Sequence, residues 1–261
     1  MKKGEKRGQV SVFIIAGVIV VVLIAGFFLS RSGLLPEIGQ ATEVNPNNFL
    51  DSCIGPKVKD IVQLISSQGG YVGNPLNKTF KFSDENAPTD ISYLCYTQNY
   101  YEPCINQEPI LIGHLKNEIK TQISQDVKAC FDELVFNLEK QGYVVEARFE
   151  GFEVKIMPKK IIVDGKSELV LTKSNETSKQ ENFKVSISSY FYDLAIVAQE
   201  IVSQEARFCN FENLGFMLFY PQFDIDKFKT GDSTTIYTLK NRKSQEEFKF
   251  AVRGCVIPPG I

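Results

Sequence analysis

A long uncharged segment near the N-terminus constrains this chain more than any other feature. Residues 9–30 read QVSVFIIAGVIVVVLIAGFFLS without a charged side chain, whereas residues 1–8, MKKGEKRG, carry four basic residues and one acidic residue. A helix of about 22 residues matches the roughly 30 Å hydrocarbon core of a bilayer, while the apolar part of a cleaved secretory signal is usually about 7–15 residues long. We therefore predict a transmembrane helix over residues 9–30.

Basic residues around this segment predict its orientation. Four of them precede it and only Arg31 follows it closely. Because cytoplasmic flanks of membrane helices are enriched in Lys and Arg, we expect residues 1–8 to be cytoplasmic and the chain after residue 30 to be extracellular. The sequence thus predicts a single-pass protein of the cell membrane, with the lipid bilayer as a partner.

All six cysteines follow the predicted span. An even number of cysteines on the extracellular side favours disulfides, and six cysteines allow 15 pairings. Our preferred pairing is Cys95 with Cys104, which enclose a short polar loop, Cys53 with Cys130, and Cys209 with Cys255. The alternative is a metal site, but the chain has a single histidine and no Cys-x-x-Cys motif. We therefore expect no metal.

The chain after the span divides into a linker and a folded part. Residues 31–47 contain two glycines and two prolines among polar residues, which is typical of a tether. We place the folded part at residues 48–261. Its first helix is expected from about Pro56 to Ser67, capped by Asn48 or Asp51 and ended by Gly69-Gly70.

A change of periodicity near Gly142 suggests a sub-boundary there. Apolar residues recur every three or four positions from Ile110 to Gln141, which predicts a long helix. Alternating segments follow, with an Asp164-Gly165 turn expected inside a hairpin. A helix is expected over Ser189–Arg207, and then three strands, the first being FMLFYPQFDI. These patterns predict an α+β fold in which antiparallel sheet dominates the second half.

No residue pattern indicates catalysis. His114, the single histidine, has no nucleophile motif to accompany it, and a capping or partly exposed role is the better interpretation. The acidic residues Asp224, Asp226 and Asp232 lack the order of a calcium-binding EF-hand loop and fit a solvated hairpin. We assign no catalytic, cofactor-binding or metal-binding residue. The net charge of −2, without a basic cluster beyond the N-terminus, gives no indication of nucleic-acid binding.

Two segments match the N-glycosylation sequon. They are Asn77-Lys78-Thr79 and Asn175-Glu176-Thr177, both in expected loops of the extracellular part. The sequence therefore offers Asn77 and Asn175 as modification sites.

The junction Arg7-Gly8-Gln9-Val10-Ser11-Val12 resembles the processing site of archaeal type IV pilins and archaellins, which carry a class III signal peptide. The resemblance implies cleavage by a prepilin peptidase between Gly8 and Gln9, and association of subunits through the helix over 9–30. It covers only about 30 residues. The mature fifth position is Phe13, where many pilins have Glu, and Ser30, Gly33 and Pro36 interrupt the helix beyond the bilayer.

A second likeness combines the N-terminal motif with features after the span. The RGQVSVF start, Cys53, the QGGY segment and the expected helix near Tyr192 are together similar to uncharacterised membrane-anchored surface proteins of small-genome archaea.

These observations favour a non-enzymatic, pilin-like cell-surface protein whose disulfide-braced head acts in assembly, adhesion or partner binding. Two alternatives from other classes stay open. One is an ectoenzyme, a hydrolase on a signal anchor, and the other is a receptor for a small ligand or glycan. A concave pocket lined with Tyr and Phe would favour the receptor.

Overall fold

A computed structural model of the chain describes residues 17–21, 24, 45–83 and 85–258. Residues 17–21 and 24 are helical, and the apolar side chains at 18–21 and 24 are exposed. The rest of the predicted transmembrane segment, the signal residues 1–8 and most of the linker lie outside the described residues. Within the described ranges, no helix combines the length and the apolar character needed to cross a bilayer.

The chain from Val44 to Ile261 is one compact unit of helices and strands, so the predicted α+β class is confirmed. In chain order its described elements are α1 (Pro46–Ser67), β1 (Asn77–Phe80), β2 (Thr89–Tyr96), β3 (Ile105–Asn106), α2 (Leu111–Lys140), β4 (Val144–Met157), β5 (Lys160–Lys173), β6 (Glu176–Ser188), α3 (Phe191–Phe208), α4 (Asn213–Phe219), β7 (Phe223–Lys229), β8 (Thr235–Asn241) and β9 (Glu247–Arg253). Gly142 marks the change from helix to strand inside this unit.

Two sheets form in the described part of the chain. The larger one has the order β1-β2-β9-β8-β7, with β3 paired to β2, and the smaller one has the order β4-β5-β6. All pairs are antiparallel except β2 with β9, which is parallel. Buried side chains from α1, α2, α3 and both sheets form one continuous apolar cluster. The predicted dominance of antiparallel pairing is confirmed.

The long helix α2 ends beside Gly142, as its sequence predicted. Its buried residues recur at helical spacing along one stripe, at Leu111, Leu115, Ile119, Ile123, Val127, Cys130, Phe131, Leu134 and Leu138. Gly142 has a φ of +84°, a left-handed conformation that glycine adopts without a Cβ clash. The predicted helix over Ser189–Arg207 is also present, as α3.

Helix α1 starts at Pro46, ten residues before the expected start at Pro56. The side chain of Asn45 accepts hydrogen bonds from the backbone N–H groups of Asn47 and Asn48, and Pro46 occupies the first turn, where no N–H is needed. Pro56 lies inside the helix. Buried residues on both sides of it, Ile54 and Val58, pack into the same core. Residues 46 and 47, placed in the linker from sequence, are therefore helical.

The expected turn at Asp164-Gly165 is wrong, since both residues lie inside β5. The strand runs unbroken from Lys160 to Lys173, and the turns fall at Lys159 and at Ser174-Asn175, all with positive φ. An added Cβ on Gly165 would lie 2.2 Å from the ring of Phe183 on β6. Glycine at this position therefore makes room for a neighbouring aromatic side chain and does not form a turn.

The segment FMLFYPQFDI, expected as one strand, forms helix α4 and then β7. A continuous apolar run without alternation does not distinguish a helix from a buried strand. Glu212 accepts a hydrogen bond from the N–H of Leu214 at 3.2 Å, which caps the helix. The helix also docks on β7, because Asn213 donates to the carbonyl of Ile225 at 3.0 Å. These contacts depend on tertiary structure.

Candidate functional site

Three disulfides connect all six cysteines, in the pairs preferred from the sequence. They are Cys53–Cys130, Cys95–Cys104 and Cys209–Cys255, with Cα–Cα distances of 5.9, 5.3 and 5.8 Å. The first joins α1 to α2, the second closes the loop between β2 and β3, and the third ties the end of α3 to the C-terminal segment. Since every cysteine is paired, none supplies a thiol for catalysis or metal binding.

His114 is the centre of a small polar cluster between α2 and the loop after α1. Its Nε2 donates to the carbonyl of Gly70 at 2.8 Å, and its Nδ1 lies 3.6 Å from the carboxylate of Glu108. The hydroxyl of Tyr71 donates to the same Glu108 carboxylate, and the Tyr71 and His114 ring centroids lie 4.2 Å apart. Glu118 accepts from the N–H of Val72 at 2.9 Å.

The contacts of this cluster secure the loop after α1. Burial, the hydrogen bond to Glu108 and the charges of Glu108 and Glu118 raise the pKa of Tyr71, so its phenol stays a neutral donor. Both nitrogens of His114 face protein groups, Nε2 the Gly70 carbonyl and Nδ1 the Glu108 carboxylate. The cluster therefore attaches the loop after α1 to the start of α2.

A cavity of about 730 Å³ lies between α1, the end of β6 and the β8–β9 turn. Its apolar floor includes Val58, Ile187 and Phe191, and its rim carries hydroxyl, amide and carboxylate groups from residues such as Ser67 and Gln245. Phe191 is the one aromatic side chain among the lining residues, all of which are described. The cavity thus differs from the Tyr- and Phe-lined pocket that would favour a receptor.

The three aspartates considered for calcium do not converge. Asp224 and Asp226 lie on β7, and Asp224 is 3.4 Å from the guanidinium of Arg242. Asp232 lies in the β7–β8 turn, 2.7 Å from the Nζ of Lys78. Burial alone would raise the pKa of Asp232, but Lys78, the Thr230 hydroxyl and the Thr234 N–H together hold it well below its usual range. Among described residues, no three His, Cys, Asp or Glu side chains form a metal-binding group.

The two sequons have different surroundings. Asn77 lies on β1, is half-buried, and its side-chain amide donates to the carbonyl of Asn74 at 2.5 Å. Asn175 lies at the tip of the β5–β6 hairpin, is exposed, and has a φ of +68°. Of the two amides, that of Asn175 is the accessible one.

A buried charged group fixes the segment before α4. The side chain of Glu205 on α3 is 8% exposed, accepts a hydrogen bond from the hydroxyl of Tyr237 and lies 3.4 Å from the Nζ of Lys227. Lys227 also donates to Asn210 at 2.9 Å and to the carbonyl of Phe211 at 3.3 Å. Burial raises the pKa of Tyr237, and the neighbouring Glu205 carboxylate raises it further. These contacts attach residues 210 and 211, which precede α4, to α3 and β7.

Helix α4 and its flanks expose a set of large apolar side chains, which we call the α4 surface. Its members and their exposed fractions are Phe208 66%, Leu214 66%, Leu218 83%, Phe219 83% and Tyr220 47%. The sequence pattern did not indicate this surface, because the run FMLFYPQFDI favours a strand. The sequence feature that could have indicated it is the run without a charged residue from 213 to 223.

The processing residues Gly8 and Gln9 lie outside the described residues. The chain matches no protein-family model, no curated protein and no solved structure.

Proposed function

We propose that this chain is a membrane-anchored, pilin-like cell-surface protein whose extracellular head binds a partner or takes part in assembly or adhesion. The observation that carries the proposal is the complete pairing of six cysteines within the head. Disulfides persist in oxidising, extracytoplasmic compartments, so they agree with a head outside the cell. The uncharged run over 9–30 and the basic residues before it supply the anchor and its orientation.

A binding role is favoured over catalysis by the surroundings of His114. Its ring nitrogens face Gly70 and Glu108, and the cysteines are all disulfide-bonded. In this proposal the prepilin peptidase that cleaves after Gly8 and the bilayer are the partners, and self-association runs through the membrane helix. The head acts through its surface.

The intact mass of the protein extracted from native membranes without reduction tests the proposal. We expect a mass that starts at Gln9 and lacks two hydrogens for each of the three disulfides. Alkaline carbonate washing of the same membranes is the control for anchoring, since it removes peripheral proteins. Recovery of the protein in the carbonate supernatant would contradict the membrane anchor. Six alkylatable thiols without reduction would contradict the extracellular head.

Glycan recognition is a second candidate function of the cavity beside α1, supported by its polar rim and not by aromatic lining, which is limited to Phe191. Its rim of hydroxyl, amide and carboxylate groups matches the hydroxyls of a glycan, and its volume of about 730 Å³ is in the range of ligand sites. A glycan array probed with the wild type and with Leu64→Arg, which places a long side chain in the cavity, tests this function. Val144→Arg, at an exposed position on β4, is the matched control.

A further inference from the structure

Helix α4 has two apolar faces, and only one of them packs on the protein. Phe216 and Met217 point inward: the Phe216 ring lies 5.4 Å from that of Phe211, and the Met217 sulfur accepts from the N–H of Ile225 at 3.2 Å. Leu214 and Leu218, four residues apart on the opposite face, are exposed. The outer face is therefore not needed for the packing of the helix.

The α4 surface is displayed by a fixed scaffold. Lys227 bonds to Asn210 and Phe211 on its N-terminal side, and Phe211 is 2% exposed. The Cys209–Cys255 disulfide holds the preceding residue of the chain. Large apolar side chains thus stay exposed while the backbone that carries them is fixed, which is typical of a docking surface.

The exposed area of these side chains is large enough for a docking surface. At about 200 Å² for a large side chain, the exposed fractions of its five members sum to roughly 700 Å² of apolar area. A standard protein interface buries about 800 Å² per partner, of which a little over half is apolar, so the area alone fits either a second copy of the chain or a lipid surface. It is larger than the apolar patches of about 300–600 Å² found on ordinary monomers.

The chemistry of the segment fits the interfacial region of a bilayer. Residues 213–223 carry no charge, so their insertion would desolvate no ionised group. Arg207, whose guanidinium lies 5.3 Å from the centroid of the Phe208 ring, places a cation at the edge of the surface, where it can meet lipid phosphate.

Chain length permits this contact. The segment from Arg31 to Asn45 has 15 residues and can span at most about 50 Å. A folded unit of the size of 45–258 has a radius of gyration of about 17 Å. The maximum span of this segment exceeds the radius of gyration of the folded unit, so chain length does not prevent a contact between the unit and the membrane.

We infer that the α4 surface inserts Leu218 and Phe219 into the lipid interface of the membrane that anchors the chain. The inference rests on the proposed function, because the anchor supplies the high local concentration of lipid. It adds a second membrane contact, made by the head itself.

The chain contains no tryptophan, so a single Phe219→Trp substitution gives an unambiguous fluorescent reporter. The full-length variant is reconstituted in liposomes that contain brominated lipids. We expect emission at shorter wavelength and about twofold quenching by the brominated lipids, with little quenching by aqueous iodide. Phe136→Trp, on α2 and 53% exposed, is the matched control and should be quenched by iodide alone.

Two results would overturn the inference. If iodide quenches the Phe219→Trp variant as strongly as the control, the α4 surface is exposed to water. Protection from both quenchers that grows with the protein-to-lipid ratio would assign the surface to a second copy of the chain. Flotation of the liposomes after carbonate washing tests the membrane anchor separately. If the chain is lost from the liposomes, the proposed function is contradicted. The quenching measured before washing still reports on the α4 surface.

Discussion

Gly165 lies at a point where any side chain would collide with the neighbouring strand. The Cβ of an alanine would lie 2.2 Å from the Phe183 ring, and Phe183 is itself 4% exposed within the core. The glycine was expected in a turn because Asp-Gly is a common hairpin pair. Sequence alone does not show which aromatic ring will pack over a strand glycine.

We expect Gly165→Ala to lower the free energy of unfolding by about 1–3 kcal/mol, since Phe183 must shift in a packed core. Chemical denaturation followed by circular dichroism measures this change. Gly55→Ala is the matched control, because an added Cβ there meets nothing within 4 Å and alanine favours a helix by about 1 kcal/mol. A Gly165→Ala variant as stable as the wild type would show that the ring moves freely.

The two sequons should differ in occupancy in a host that performs N-glycosylation. We expect a glycan on Asn175, which is exposed at a hairpin tip, and none on Asn77, whose amide is bonded to the carbonyl of Asn74 in a half-buried strand. Mass spectrometry of the glycopeptides measures both sites, and Asn175→Gln is the control. Preferential modification of Asn77 would contradict the prediction and would require transfer before folding.

Among the elements, α2 and α4 show what the sequence could and could not predict. The stripe of α2 repeats over thirty residues and ends at a glycine, so its bounds were predicted within one residue. Helix α4 has seven residues, too few for a periodicity to separate helix from strand, and its docking on β7 brings together residues 12 positions apart. The α4 surface could therefore not be predicted as a helix face.

Helix α1 is capped by Asn45, and not by Asn48 or Asp51 as the sequence predicted. Asn45→Ala removes the side-chain oxygen that accepts from the N–H groups of Asn47 and Asn48, and we expect a loss of about 0.5–2 kcal/mol in the free energy of unfolding. Thermal denaturation checks the change. Asn45→Asp keeps an acceptor at the same position and should retain most of the stability; equal losses in both variants would argue against capping.

For the whole molecule, each disulfide should contribute to the free energy of unfolding according to the length of chain that it closes. Cys53–Cys130 spans 77 positions and Cys95–Cys104 spans nine. Loop-closure entropy then predicts losses of about 4–5 and about 2–3 kcal/mol respectively when each pair is replaced by serine. Denaturation of the two double variants under identical conditions measures the difference. A larger loss for the short loop would refute this order.

Two tyrosines, the partly buried Tyr71 and the buried Tyr237, should make the head sensitive to alkaline pH. The pKa values of Tyr71 and Tyr237 are raised, so the folded state holds their protons above the usual pKa of about 10. The free energy of unfolding should therefore be unaffected by these groups below about pH 10 and should fall as the pH rises beyond it.

Comparison of the wild type with Tyr237→Phe tests this dependence. The variant loses the hydrogen bond to Glu205 and should be less stable at neutral pH by about 1–3 kcal/mol. Its further loss between pH 8 and 11 should be smaller than that of the wild type, because one titrating phenol is gone. Parallel pH curves for the two proteins would exclude Tyr237 as a source of the alkaline effect.

The parallel pairing of β2 with β9 determines the order in which the head can be built. About 150 residues separate these strands, and β9 ends just before the last cysteine of the chain. During synthesis, β2 therefore lacks this neighbour until about 150 further residues have been added. Contacts so distant in sequence slow folding. The larger sheet therefore cannot close between β2 and β9 until all the elements between them in the chain, from β3 to β8, have been synthesised.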